Sequence, residues 1–176
     1  TVLSHTSTSW PCRLMAETIT KTTLGLLPTD SKVNLELPTK PHEALHGHIV
    51  QGHVDATCII ADITERGDDR IFTLQPPKEF LARITSKGSI ALDGVSLTVV
   101  NVTEHVFTVS IMPYTLQHTT LGSRVIGDAL NMETDHTNQA LWISGIVVQG
   151  DKRGTALGFP TANIELATNF QYPQEG

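Results

Sequence analysis

Beta-branched and other apolar residues recur along this chain in short runs, separated by Gly, Asp and Pro, as in strands joined by tight turns. Val54 to Ile63 reads as a strand, Gly67-Asp68-Asp69 as a turn, and Arg70 to Leu74 as a second strand. Pro76-Pro77 then opens a short helix, Lys78 to Ile84, with an apolar face of Phe80, Leu81 and Ile84. Ser89 to Leu92, Ser96 to Val102 and Val106 to Met112 are three more strands, and their links, Asp93-Gly94 and Thr103-Glu104-His105, are of hairpin length. Ala129 to Glu133 closes the unit. About six strands in roughly ninety residues suits a small closed antiparallel barrel, so the predicted fold class is all-β. Upstream, residues 1 to 36 read as two short strands around Ser4 to Ser9, a helical turn near Thr18 to Thr23 and a strand at Lys32 to Leu37. Pro38 to Pro41 is a linker.

The same pattern occurs twice. With the chain slid by 97 residues, Met15, Thr18, Thr22, Thr23, Leu24, Gly25, Asn34 and Glu36 meet Met112, Thr115, Thr119, Thr120, Leu121, Gly122, Asn131 and Glu133. Thr1, Val2 and Thr6 likewise meet Thr98, Val99 and Thr103. These 11 identities over 36 positions compare with about two expected by chance from average residue usage, so the chain is read as a tandem domain repeat. Thr1 falls on Thr98, inside an apolar run, which predicts a first copy cut within a strand. After Asp135 the composition changes: a polar segment, His136 to Gln139, leads into a new apolar strand, Trp142 to Gln149, with no counterpart in the repeat. That strand predicts a third unit, unfinished at Gly176.

Composition narrows the function. Apolar residues make up 39% of the chain, enough for a core in each of one or two small domains, and charged residues 17%, below the typical figure of about 25%. With a net charge of -6 and no Lys/Arg cluster, nucleic acid and anionic membrane are not expected partners. Cys12 and Cys58 are too few for a disulfide framework and lack metal-ligand spacing, which suits a reducing compartment; both are expected as small buried hydrophobes. No apolar run reaches transmembrane length.

Gly47-His48-Ile49-Val50-Gln51-Gly52-His53-Val54-Asp55 lies between the copies. With His42 and His46 it invites a metal reading, but residues five apart on an extended strand face opposite ways, and no acidic or Cys partner sits at ligand spacing. No metal is expected in the barrels. Alternatively, the glycines let backbone approach a flat ligand while the imidazoles offer hydrogen bonds to it.

This segment, together with Lys87-Gly88-Ser89-Ile90-Ala91-Leu92-Asp93-Gly94-Val95-Ser96-Leu97-Thr98 and the repeated Thr-Thr-Leu-Gly, resembles riboflavin synthase over about residues 1 to 135. The resemblance implies two lumazine-binding barrels, 1–40 being the C-terminal part of the first and 41–136 the whole second, in a cytoplasmic homotrimer, with organellar import left open. It implies dismutation of two 6,7-dimethyl-8-ribityllumazine molecules to riboflavin and a ribitylamino-pyrimidinedione, without cofactor. Carried over position by position, substrate contacts are Gly52, His53, Val54, Lys87, Ser96, Leu97, Thr98, Ser110, Ile111, Met112, Pro113, Tyr114 and Thr115 in the second barrel. In the first they are Thr1, Arg13, Leu14, Met15, Ala16, Glu17 and Thr18. Candidate proton carriers are His48 and His53, since the reactive Ser and Cys of the first-barrel strand are not in this sequence. Each assignment has a plainer alternative: Lys87 as a solvated turn residue, Ser96 and Thr98 as ordinary strand residues. Tyr114 departs from the Glu or His often found in the family at that position.

Gly145 to Asn163 resembles the start of riboflavin kinase. There Gly154 and Gly158 would let amides approach phosphate, and Thr161 and Asn163 would offer oxygens to ATP-bound Mg. Residues 140–176 are thus expected to be an N-terminal fragment of a domain that uses Mg-ATP when complete. The primary expectation is a partial riboflavin synthase, inactive alone. The alternatives are a non-catalytic lumazine- or flavin-binding protein and a bifunctional protein with kinase activity.

Overall fold

The computed structural model describes residues 4, 6, 9, 11–36, 42 and 47–136. The chain divides into a unit ending at Asp135 and a second, His136–Gly176, of which only His136 falls among the described residues. The expectations for Thr1, for the strands near Ser4 to Ser9 and for the kinase-like segment, including Gly154, Gly158, Thr161 and Asn163, fall wholly or largely outside them.

Six strands form the predicted all-β closed barrel: β1 Ala56–Arg66, β2 Asp69–Gln75, β3 Ser89–Leu92, β4 Val95–Val102, β5 Phe107–Ile111 and β6 Ala129–Thr134, in the order β1-β2-β5-β4-β3-β6 and back to β1, with every pair antiparallel. Period two fills the interior. On β5, Phe107, Val109 and Ile111 are fully buried while Thr108 and Ser110 are not. Cys58 and Ile60, Phe72 and Leu74, and Leu130 and Met132 repeat that alternation on β1, β2 and β6, and Ile90 and Leu92 are fully buried on β3. Hairpins close on short turns. Asp93 and Gly94 both have positive φ, at 46° and 80°, between the paired Leu92 and Val95, the two-residue geometry that matches strand twist.

The two longer connections carry the helices. Between β2 and β3 lies α2, Lys78–Leu81, shorter than the predicted Lys78 to Ile84. Beyond Phe80 the bonds are of the i to i−3 type, Arg83 N to Phe80 O and Ile84 N to Leu81 O, so the segment tightens into turns. This still delivers Ile84 to the core, and Arg83 lies over the Phe80 ring, 5.0 Å from its centroid. Between β5 and β6 lie α3, Pro113–His118, and a 3-10 helix, Thr120–Ser123.

Upstream of the barrel the first copy forms α1, Ala16–Lys21, and a 3-10 helix, Thr23–Leu26. These reproduce α3 and its 3-10 partner residue for residue. Thr22 and Thr119 each donate to the carbonyl four residues back, at 2.6 and 2.7 Å, and each accepts from the amide two residues on. The predicted strand at Lys32 to Leu37 does not form over the described residues 32–36. Its counterpart β6 is a strand because it pairs with β1 and β3, whereas no strand pairs with residues 32–36 among the described residues. Val33 and Leu35 are accordingly 48% and 76% exposed, where Leu130 and Met132 are fully buried.

The first-copy segment is held to the barrel by a reciprocal pair of asparagines. Asn131 Oδ1 accepts the Thr23 N–H at 2.8 Å, and Asn34 Oδ1 accepts the Thr120 N–H, also at 2.8 Å. These are the same bond seen from each copy. Both asparagines converge on Asp93: Asn131 Nδ2 donates to its Oδ1 at 3.0 Å, and Asn34 Nδ2 to its carbonyl at 2.8 Å. Arg124 completes the cluster with a 2.7 Å ion pair to Asp93 Oδ2.

Candidate functional site

The segment Gly47 to Asp55 has no regular secondary structure, so its polar backbone groups need other partners, and strands β4 and β6 supply three anchors. The Ser96 hydroxyl lies 2.8 Å from His48 Nδ1. Glu133 Oε1 accepts the Gln51 N–H at 2.7 Å. Asp55 Oδ2 accepts from both the N–H and the hydroxyl of Thr134, at 2.8 and 2.7 Å.

Sheet register shows how this strap lies. Ala91 on β3 is paired with Ser96 on β4 and with Glu133 on β6, and directly opposed residues project to the same side of a sheet. Ser96, Ala91 and Glu133 therefore form a row across three strands, about 10 Å long at the usual strand spacing. The three residue-to-residue steps of extended chain from His48 to Gln51 reach about the same distance. The strap thus crosses β3 over Ala91, which explains why Ala91 and Glu133, pointing away from the barrel interior, are only 2% and 5% exposed. Gly47 lies against β4: its φ is +104°, and a Cβ there would stand 2.8 Å from Ser96 Oγ. Gly52, at φ +74°, turns the strap where it leaves Glu133.

The two candidate proton carriers are placed differently. His48 is half-buried, and its Nε2 is buried with no hydrogen-bond partner among the described residues. His53 is exposed, its Nδ1 3.4 Å from the Gln51 carbonyl. Among the described residues no three His, Cys, Asp or Glu side chains are grouped as metal ligands.

Of the remaining second-barrel candidates, Ser96 and Thr98 are on the outer side of β4, whereas Leu97 packs against the core. Val99 pairs with Val109, which puts Thr98 and Ser110 each one residue from that pair on neighbouring strands. Ser110 donates to Asp69 Oδ2 at 3.2 Å. Ile111 is fully buried, so what it offers outside the core is backbone. Met112 and Tyr114 are exposed at the start of α3, Pro113 and Thr115 half-buried, and the Tyr114 ring stacks on His118 with centroids 4.0 Å apart. Lys87 is exposed at φ +67°, its N–H bonded to the Val99 carbonyl. A lysine in the left-handed region is uncommon. Val54 is half-buried beside the Asp55 anchor.

In the first copy, Arg13, Leu14, Met15, Ala16 and Glu17 are exposed and Thr18 is half-buried. Glu17 pairs with Lys21 at 3.0 Å. Cys12 is exposed, contrary to the expectation of a buried hydrophobe, while Cys58 is buried. An open depression of about 360 Å³ lies between the β1–β2 turn and α3. It is lined by Glu65, Asp68, Asp69 and Arg70, includes only Pro113 of the candidates, and does not coincide with the strap.

Glu133, Asp55 and Ala91 were not singled out from the sequence as site residues. A signal for Glu133 was present, since Asn-x-Glu recurs at Asn34–Glu36 and Asn131–Glu133, but only the fold brings it to Gln51.

Residues 51–135 match the family model described as Lumazine binding domain, and residues 137–176 match Riboflavin kinase. The chain is 41% identical over 135 residues to riboflavin synthase of Actinobacillus pleuropneumoniae and 36% identical over 135 residues to riboflavin synthase of Bacillus subtilis (strain 168), covering 77% of this chain and 63% of each relative. It therefore spans under two thirds of those curated relatives. Among solved structures it is similar to LumP complexed with riboflavin, with a TM-score of 0.63 and 25% identity over 68% of this chain and 65% of that one. LumP complexed with 6,7-dimethyl-8-(1'-D-ribityl) lumazine matches with a TM-score of 0.59 and 26% identity, over 66% and 62%.

Proposed function

We propose that this barrel, whose residues 51–135 match the family model described as Lumazine binding domain, binds 6,7-dimethyl-8-ribityllumazine against its outer face beside the strap, and that the whole protein is a riboflavin synthase. The observation that carries the reading is the strap itself, Gly47 to Asp55 laid across β4, β3 and β6 on named anchors. It makes a fixed edge of backbone donors and acceptors for a flat, polar heterocycle.

The dismutation needs positioning more than reactive groups. One lumazine loses a proton from its C7 methyl, the resulting carbanion attacks the partner ring, and a four-carbon unit passes across, leaving riboflavin and the ribitylamino-pyrimidinedione with all atoms accounted for. Holding two rings face to face supplies much of the rate, and a proton carrier within reach supplies more. His53, exposed on the strap, is the proposed carrier of that proton. His48, pinned by Ser96, holds the strap. The Lys87 ammonium and the Ser96, Thr98 and Ser110 hydroxyls are proposed polar contacts for the ligand, with the Met112–Thr115 segment beside them. A second half-site comes from a first copy carrying Arg13 to Thr18, in a homotrimer, and turnover uses no cofactor.

Titrating the 176-residue chain with 6,7-dimethyl-8-ribityllumazine, with ligand fluorescence and riboflavin formation read together, tests the proposal. Saturable binding without riboflavin is the expected result. Absence of binding by folded protein overturns it. Riboflavin formed by this chain would show that one whole barrel suffices. A second reading, a non-catalytic binder, draws on the likeness to LumP; it is favoured if a chain extended to the relatives' full length binds but does not turn over. The match of residues 137–176 to riboflavin kinase supports a second activity in the whole protein, ATP- and Mg-dependent phosphorylation of riboflavin, tested in a chain extended past Gly176.

A further inference from the structure

We infer that Glu133 is the positioning residue of this ligand site. It does not touch the ligand; it fixes the Gly52-His53-Val54 arch by receiving the Gln51 N–H. The inference rests on the reading that this arch lies against the lumazine.

Glu133 points away from the barrel interior yet is 5% exposed, roofed by the strap it holds. Burying a carboxylate is costly unless its oxygens are hydrogen-bonded, and an apolar residue at such a place often serves stability as well or better. A charge kept there has another use. A carboxylate accepts and cannot donate, so at this point only a donor satisfies it, and the donor is the amide immediately before Gly52. Gly52, left-handed at φ +74° with open space where a side chain would be, is otherwise free to swing. Gln51 on Glu133 and Asp55 on Thr134 bracket the three residues between. The arch is thus held at both ends, and His53 in its middle is exposed.

The motif has a second copy. Glu36 stands 97 residues before Glu133 and two residues after Asn34, which makes the same inter-copy bond as Asn131. Glu36 is exposed. Val33 and Leu35 beside it are exposed as well, since residues 32–36 form no strand.

The test uses the full chain with Glu133→Gln and Glu133→Met. Three readouts are followed together: the lumazine dissociation constant, amide hydrogen exchange at residues 51–54, and the unfolding midpoint. Glu133→Met is expected to weaken binding about tenfold or more, the scale of a lost bond to a charged acceptor. It should speed exchange at 51–54, with the midpoint little changed because the apolar side chain fills the site. Glu133→Gln keeps an acceptor oxygen and is expected to bind within about threefold of the original. A folded Glu133→Met protein with unchanged affinity and unchanged exchange at 51–54 overturns the inference. Should the unaltered chain bind no lumazine while Glu133→Met still releases the 51–54 amides, the lumazine reading falls and the strap role of Glu133 stands. If Glu133→Met does not fold, Glu133→Asp decides: withdrawing the acceptor by one methylene must speed exchange at 51–54, and slow exchange there overturns the inference.

Discussion

Cys58 lies wholly inside the barrel, and burial pushes its thiol up to about 12, with the nearby Asp93 charge adding to the effect. The ionised thiolate is thus disfavoured in the folded chain but forms from about pH 9 in the unfolded one. The unfolded state then binds fewer protons, so the Cys58 contribution is whole below pH 9 and is lost as pH rises towards 12. Denaturant titrations should show the original chain losing stability faster than Cys58→Val across that window, by on the order of 1.4 kcal/mol per pH unit. Equal slopes would contradict it. A thiol reagent at neutral pH should modify Cys12, which is exposed, and leave Cys58 unmodified until the chain unfolds. Ser96 acts at the same scale: its hydroxyl orients His48 Nδ1. Ser96→Ala should weaken lumazine binding about tenfold with little change in unfolding midpoint, and unchanged affinity would show that the strap does not depend on that pair.

At the scale of elements, one packing contact is used twice with different tolerance. Gly25 and Gly122 occupy equivalent places in the two 3-10 helices. A Cβ on Gly122 would collide with the Leu116 backbone carbonyl, whereas one on Gly25 would meet the Ile19 Cγ2 at 2.7 Å, the end of a side chain that can turn away. Gly122→Ala should therefore cost about 1–3 kcal/mol and Gly25→Ala clearly less, as read from urea unfolding; equal costs would mean that α3 is free to shift. The strands were legible to within three residues, β1 ending at Arg66 and not Ile63, because inward positions alternate with turn residues between them. The strand foreseen at Lys32 to Leu37 was legible as a pattern but does not form over residues 32–36, since a strand needs neighbours and none pairs with these residues among the described ones. The helix α3 was missed although Pro113 suits a first helical turn and the Thr-Thr-Leu-Gly that follows copies the first repeat. It is six residues long, too short for a periodicity to emerge.

For the molecule as a whole, the contacts between copies run through the Asn34 and Asn131 side chains and the Asp93 turn. Asn34→Ala should leave the barrel folded while removing protection from the Thr120 amide and opening residues 11–36 to protease. A cut rate like that of the original chain would show that apolar packing, and not the asparagine pair, holds the segment. The repeat made these residues visible as identities, Asn34 with Asn131 and Thr23 with Thr120. It did not show that each asparagine serves the other copy, because a shared offset says which positions are equivalent and nothing about which ones meet.

The sequence by itself determined the barrel, the duplication and the strap as a separate segment, because strand alternation, turn residues and repeat identities are all local or self-comparing signals. Tertiary structure alone decided that His48 meets Ser96, that Gln51 meets Glu133 across 82 residues, and that Ala91 lies under the crossing. Those pairings depend on strand order and register, since β3 stands between β4 and β6 only after the barrel closes.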